Sequence, residues 1–267
     1  MIGIKNISKY KREFVYSSFL FLIFELLAAR DITYNPLLYI LTSVAGLVLV
    51  TFWIMVIHIK NGSKKVSRWS DVLLKVSFKD KFYANILLPI IFYISICIFI
   101  FFDISIYLNQ IVIVLSVYLL SFLIVTIKKS YEKVFSVNKG IRVLQDFINL
   151  IIYFLFISAI FRTSLNELVL YILIVLGLIY VLSYMLISRR RLDYTNFFIT
   201  LVISVLILSF VIYLKQFVFL SIPNTSTVLL YTVVTIWHTR LEGGIKLVEY
   251  IPIIMYSLMA LILILSL

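Results

Sequence analysis

From residue 37 to residue 59 the chain runs without a single Lys, Arg, Asp or Glu, and comparable stretches recur to its end. A helix rises 1.5 Å per residue, so about 20 apolar residues suffice to cross the hydrocarbon of a bilayer. In water these stretches would have to bury one another, and the composition does not allow it. Hydrophobic residues make up 63% and charged residues 13%, with a mean hydropathy of +1.13. A soluble domain holds roughly 45–50% apolar and about 25% charged residues. Lipid leaves a helix as the simplest way to pair every backbone N–H and C=O within one segment. The expected fold is therefore all-α: a polytopic transmembrane helical bundle.

Apolar runs at residues 14–32, 37–59, 82–102, 111–127, 143–161, 168–187, 194–214, 217–237 and 247–267 predict nine spans. Pro89 predicts a kink in the third. The eighth carries Pro223, Asn224, Thr225, Ser226 and Thr227, which predicts a kinked span or a re-entrant hairpin; the re-entrant form would leave eight. Residues 1–13 read as a basic cytoplasmic N-terminus and residues 14–267 as one transmembrane helical domain. A basic start followed by an apolar run resembles a secretory signal, but Glu25 inside the run argues for a retained first span.

Orientation follows from the cations. Residues 60–81 form the longest polar interruption, with Lys60, Lys64, Lys65, Arg68, Lys75, Lys79 and Lys81 against Asp71 and Asp80. Short loops rich in Lys and Arg stay on the cytoplasmic side. Of the 24 Lys and Arg residues, only Arg30, Arg162 and Lys215 fall on the opposite side of a nine-span layout. That places the N-terminus in the cytoplasm and the C-terminus outside. The net charge of +12 would suggest nucleic acid in a soluble protein. Gathered along one membrane face it points instead to anionic phospholipid headgroups. Val66, Trp69, Val72, Leu73 and Val76 recur at helical spacing, predicting an interfacial amphipathic helix near residues 66–81. Trp53, Trp69 and Trp237 fall near the same face, as an interfacial belt would place them.

Few residues suggest chemistry. Glu25 is an ionisable group within a span, where an unpaired charge costs several kcal/mol, so it is a candidate for a proton or cation relay, for a structural ion pair with a neighbouring helix such as that of Arg162, or for a protonated, hydrogen-bonded glutamic acid. His58 and His238 stand at the cytoplasmic ends of two spans, but no Asp, Glu or Cys cluster accompanies them and no metal is expected. The densest polar group is Trp237 to Gly244, with His238, Arg240 and Glu242. Together with Arg189, Arg190 and Arg191 it is a candidate contact for a phosphate or lipid headgroup. Two glycines, Gly243 and Gly244, would allow the backbone to approach it closely. The lone Cys97 excludes an intramolecular disulfide. No Walker loop, HExxH, GxSxG or cysteine pair is present, and no cofactor is expected. Only Gly46 and Gly177 fall within spans and no GxxxG occurs, so close packing through small residues is expected to be sparse.

Nine spans with an internal N-terminus is similar in topology to the intramembrane aromatic prenyltransferases. That family relies on two aspartate-rich motifs; here the corresponding loops offer only Asp71 and Asp80, and only Asp193, so the likeness is one of topology alone and carries no site residues across. The expected function is that of a non-catalytic integral membrane protein, a subunit or anchor of a membrane complex with a basic lipid-facing cytoplasmic surface. Its expected partners are the bilayer and other membrane subunits. The alternatives are a transporter or channel using Glu25, and an enzyme acting on a lipid-linked or prenyl substrate at the cytoplasmic face. Abundant Ile, Lys, Tyr and Asn are compatible with an AT-rich prokaryotic genome, hence a plasma-membrane location.

Overall fold

Long runs of Leu, Ile, Phe and Val with few glycines and prolines leave the backbone free to form helix after helix, and it does. The computed structural model describes residues 5–61, 63–67, 70–75, 83–102, 105–132, 139–163, 165–188, 193–215, 222–241 and 247–266. Its helices are α1 (Lys5–Ala28), a short α2 (Arg30–Thr33), α3 (Pro36–Asn61), α4 (Leu88–Phe102), α5 (Ile106–Glu132), α6 (Lys139–Ile160), α7 (Glu167–Ser188), α8 (Tyr194–Lys215), α9 (Ile222–Leu241) and α10 (Leu247–Ser266). Among the described residues, six helices are long and apolar enough to cross a membrane: Pro36–Ile59, Asn85–Phe102, Ile106–Lys128, Val143–Ile160, Glu167–Ile187 and Tyr194–Tyr213.

Four features depart from the sequence expectations or add to them. Where an amphipathic helix was expected near residues 66–81, the chain forms an antiparallel hairpin of β1 (Ser63–Ser67) and β2 (Ser70–Lys75), in register Ser63 to Lys75, Lys64 to Leu74, Lys65 to Leu73 and Ser67 to Ser70. Serines offer the backbone local alternatives to helical bonds, and the valines favour a pleated surface. At the start of the chain, α1 runs through the boundary drawn at residue 13. No Gly or Pro stands between Lys5 and Ala28 to stop it, and Lys, Arg and Glu are good helix formers.

The third is at residues 217–237. Pro223 does not interrupt a helix; it stands in the first turn of α9, where its missing N–H would have had no intrahelical partner. Its carbonyl accepts from Ser226 Oγ at 3.1 Å and Thr227 Oγ1 at 2.7 Å, so the polar run becomes the start of a continuous helix. Pro89 acts differently. It cannot donate to residue 85, and the chain opens there into a π-helical turn, Tyr83–Leu87, just ahead of α4.

Fourth, the chain forms two compact units, Met1–Ile148 and Asn149–Leu267, where composition offered no boundary. In the first, α1 packs on α3, α4 and α5, and α3 on α4. Leu20, Phe24, Leu27, Trp53, Phe92 and Ile124 fill this core. Trp53 is 1% exposed and stacks on Tyr16 with ring centroids 4.9 Å apart, so it serves packing rather than an interfacial belt. In the second unit α7 packs on α8, α8 on α9 and α9 on α10. Its core joins Tyr153 and Ile157 of α6 to Ile174, Leu178 and Leu182 of α7 and Leu230 and Val234 of α9.

Candidate functional site

The most polar helix contact described in the first unit joins α1 to α5. On α5, Gln110, Ser121 and Lys128 are spaced by eleven and seven residues, which at 3.6 residues per turn sets them on one stripe. On α1, Glu13 and Ser17 stand one turn apart on the facing side. The helices run antiparallel, so the stripes meet as a ladder: Glu13 with Lys128, Ser17 with Ser121, Glu25 with Gln110.

At one end the Lys128 ammonium pairs with Glu13 Oε1. Glu13 is 7% exposed, and its other oxygen, Oε2, is buried without a hydrogen-bond partner among the described residues. A buried carboxylate is tolerated when an opposite charge compensates it, and Lys128 supplies that charge. In the middle, Ser17 Oγ and Ser121 Oγ lie 2.6 Å apart. Each is also placed to donate into its own helix, Ser17 to the Glu13 carbonyl at 2.8 Å and Ser121 to that of Val117 at 2.6 Å. A hydroxyl has one proton, so one of the two must release its intrahelical bond to donate across the seam. At the far end Gln110 Nε2 donates to Glu25 Oε2 at 3.0 Å.

Glu25 thus has an amide from α5 as a described partner; an ion pair with another helix such as that of Arg162, or a hydrogen-bonded glutamic acid, were the structural alternatives the sequence offered. It lies twelve residues beyond Glu13, about 18 Å along the helix and about a third of a turn round from it. That puts it on the flank of the seam, within reach of a long side chain. Sequence reasoning missed Glu13, which it assigned to the solvated N-terminus, and Gln110, which it assigned to an outer turn. A seven-residue spacing between Ser121 and Lys128 was the available signal.

The first unit also holds a cavity of about 390 Å³ between α3 and α4. Two tyrosines bracket it: Tyr39 donates its hydroxyl to the Cys97 carbonyl, and Tyr93 donates to the Ser43 carbonyl at 3.0 Å. Cys97 is buried beside them. The remaining wall is aliphatic and aromatic, including Val44, Leu47, Ile94 and Phe101.

In the second unit the predicted headgroup contact is described in part. Arg240 is exposed in the last turn of α9 and lines a groove with Trp237, Thr195 and Asn196. The structure therefore brings Thr195 and Asn196, at the start of α8, to Arg240. Arg189, Arg190, Arg191 and Glu242 lie outside the described residues, as does the side chain of His238. Among the described residues no three His, Cys, Asp or Glu side chains gather closely enough to hold a metal ion. Compared with models of known families, with curated proteins and with solved structures, the chain matches none.

Proposed function

We propose that the chain is an integral membrane protein that works without catalysis, as a subunit or anchor of a membrane complex. In this reading it crosses a prokaryotic plasma membrane nine times, with its N-terminus in the cytoplasm, its C-terminus outside, and a basic cytoplasmic surface against anionic headgroups. The six apolar helices supply most of the spans; α1, α9 and α10 complete the nine. The observation that carries the reading is how little of some spans the protein covers. Within their most apolar windows only 22% of Tyr194–Tyr213, 28% of Pro36–Ile59 and 33% of Ile106–Lys128 is buried. Phe198, Val202, Val205, Leu206 and Phe210 on α8, and Ile40, Leu41, Val44, Val48 and Phe52 on α3, are all exposed. Such apolar faces suit lipid tails or the helices of a partner.

Single cysteines at positions 64 and 162 in a Cys97→Ala background test the layout. Labelling by an impermeant reagent from opposite compartments is expected; labelling from the same compartment would overturn it. For the subunit role, the full chain extracted in mild detergent should carry a fixed partner at constant stoichiometry. A consistently solitary monomer would overturn that role.

The polar seam favours a second reading, ion movement along α1 and α5. Ionisable groups at membrane depth commonly mark proton or cation routes, and Glu25 with Gln110 stands at one end of the ladder and Glu13 with Lys128 at the other. Glu25→Gln in proteoliposomes should then abolish a proton or cation flux while leaving the melting profile intact; unchanged flux removes this reading.

A further inference from the structure

α8 and α9 pack side by side and leave between them a groove of about 360 Å³. Each helix lines it with one stripe: Asn196, Ile199 and Ile203 on α8, and Val233, Trp237 and Arg240 on α9, spaced by three, four or seven residues as a single helix face requires. The helices run antiparallel, so the polar members of both stripes fall together. Asn196 and Arg240 stand at one end; Ile203 and Val233 lie about 10 Å away along the helices.

We propose that this groove binds an anionic phospholipid, its phosphate on Arg240 and the first part of an acyl chain against Ile199, Ile203 and Val233. The proposal rests on the membrane reading above and deepens it by naming a ligand class. Two features favour a phosphate at the polar end. The guanidinium presents a planar fork of donors that fits phosphate oxygens. Arg240 also lines the groove beside Thr195 and Asn196 at the N-terminal end of α8, where the helix dipole favours negative charge. The apolar length then decides between sources of that phosphate. A free phosphate ion would leave Ile199, Ile203 and Val233 facing an unfilled slot, whereas a lipid covers them. Trp237, packed into the core of this unit, forms the wall where the two parts meet.

The test is native mass spectrometry of the full chain released from mild detergent, with phosphatidylglycerol, phosphatidylcholine or inorganic phosphate added. Phosphatidylglycerol should remain bound at one per chain under activation that strips phosphatidylcholine. Arg240→Gln should weaken that retention at least tenfold, and Arg240→Lys should restore part of it. Val233→Trp, which fills the apolar slot, should weaken it as well with the circular dichroism spectrum unchanged. Should Val233→Trp unfold the chain, Ile203→Ala supplies the same arm by removing one wall. Equal retention of both lipids, or an Arg240→Gln chain that holds phosphatidylglycerol as before, would overturn the proposal. Displacement by inorganic phosphate at millimolar concentration would overturn the acyl part and leave a phosphate site. Release of the chain from membranes by alkaline carbonate would instead sink the membrane reading itself, so the two failures are distinguishable.

Discussion

The ring of Tyr93 occupies the space that a side chain on Gly46 would need: a Cβ built there would meet Tyr93 Oη at 2.0 Å and Cζ at 2.7 Å, with Ile23 Cγ2 at 3.0 Å. The absence of a side chain lets α3 and α4 approach until Tyr93 donates to the Ser43 carbonyl at 3.0 Å and stacks on Phe24 at 5.4 Å. Gly46→Ala should therefore force the ring aside and break that hydrogen bond. Overpacking of this kind costs about 1–3 kcal/mol. For a chain of this size that is roughly a 2–12 °C fall in melting temperature, measurable in detergent. Tyr93→Phe removes the atom in the worst overlap but leaves Cζ, so Gly46→Ala with Tyr93→Phe should recover part of the loss beyond additivity. Simple additivity of the two changes would contradict the packing argument.

Gly177 offers a control in the second unit. A Cβ there would meet Cδ2 and Cε2 of Tyr153 at 3.3 Å and Phe156 Cδ1 at 3.7 Å, so the ring has to yield by only a few tenths of an ångström. Against that stands the gain from replacing a glycine inside a helix, about 0.5–1 kcal/mol. Gly177→Ala should leave the stability within about 1 kcal/mol of the parent's, in either direction, as read from thermal melts. A loss matching that of Gly46→Ala would mean that Tyr153 is held more rigidly than Tyr93.

The pair Glu13 and Lys128 predicts an asymmetry. Glu13 is almost fully enclosed, while about a quarter of the Lys128 side chain remains exposed, 24% against 9%. Lys128→Met strands a carboxylate in the seam; Glu13→Gln leaves an ammonium that can reach water. The first change should cost more, about 2–3 kcal/mol against about 1, below the full penalty for breaking a wholly buried pair because Lys128 is partly wet. Replacing both, Glu13→Leu with Lys128→Met, should come close to the parent. A thermal-melt double-mutant cycle checks all three values, and equal costs for the two single changes would argue that Glu13 is solvated.

These predictions separate what the sequence makes legible from what it hides. Span positions were readable because a run such as 168–187 can do little else in lipid than form a helix, and α7 follows it to within a residue at each end. Proline roles were half legible. The residue type marks a break in the bonding pattern, but only the helix start decides whether that break falls inside the helix, and Pro223 falls at its edge. Glu13 was hidden by its neighbours, since Lys9, Lys11 and Arg12 make a solvated tail of any reading that counts charge along the chain. Pairing with Lys128 is fixed by the approach of α1 to α5, across 115 residues. Gly46 and Gly177 were visible as the glycines within spans, yet without GxxxG spacing nothing in the sequence tied them to tyrosines on neighbouring helices. Arg240 was legible as a polar residue at the end of a span, but neither Thr195 and Asn196 beside it nor the apolar slot running from them was.

Pro89 allows a test of how one residue sets the face of a helix. Because it cannot donate to the carbonyl of residue 85, the turn Tyr83–Leu87 widens to π geometry, which fits one extra residue in ahead of α4. In that arrangement Asn85 is 4% and Ile86 7% exposed. Pro89→Ala restores the donor, so the turn should tighten to an ordinary α-helix. Removing the extra residue rotates everything upstream by about 100° relative to α4, since each residue turns a helix by that amount. Ile86 would leave its buried place. A cysteine at position 86, in a chain with Cys97→Ala, should be protected from maleimide with Pro89 present and react at least tenfold faster in Pro89→Ala. The helical signal at 222 nm should rise slightly or stay level, which separates rotation from unfolding. Equal reactivity in the two backgrounds would show that the packing of Asn85 and Ile86, rather than the proline, holds the π turn open.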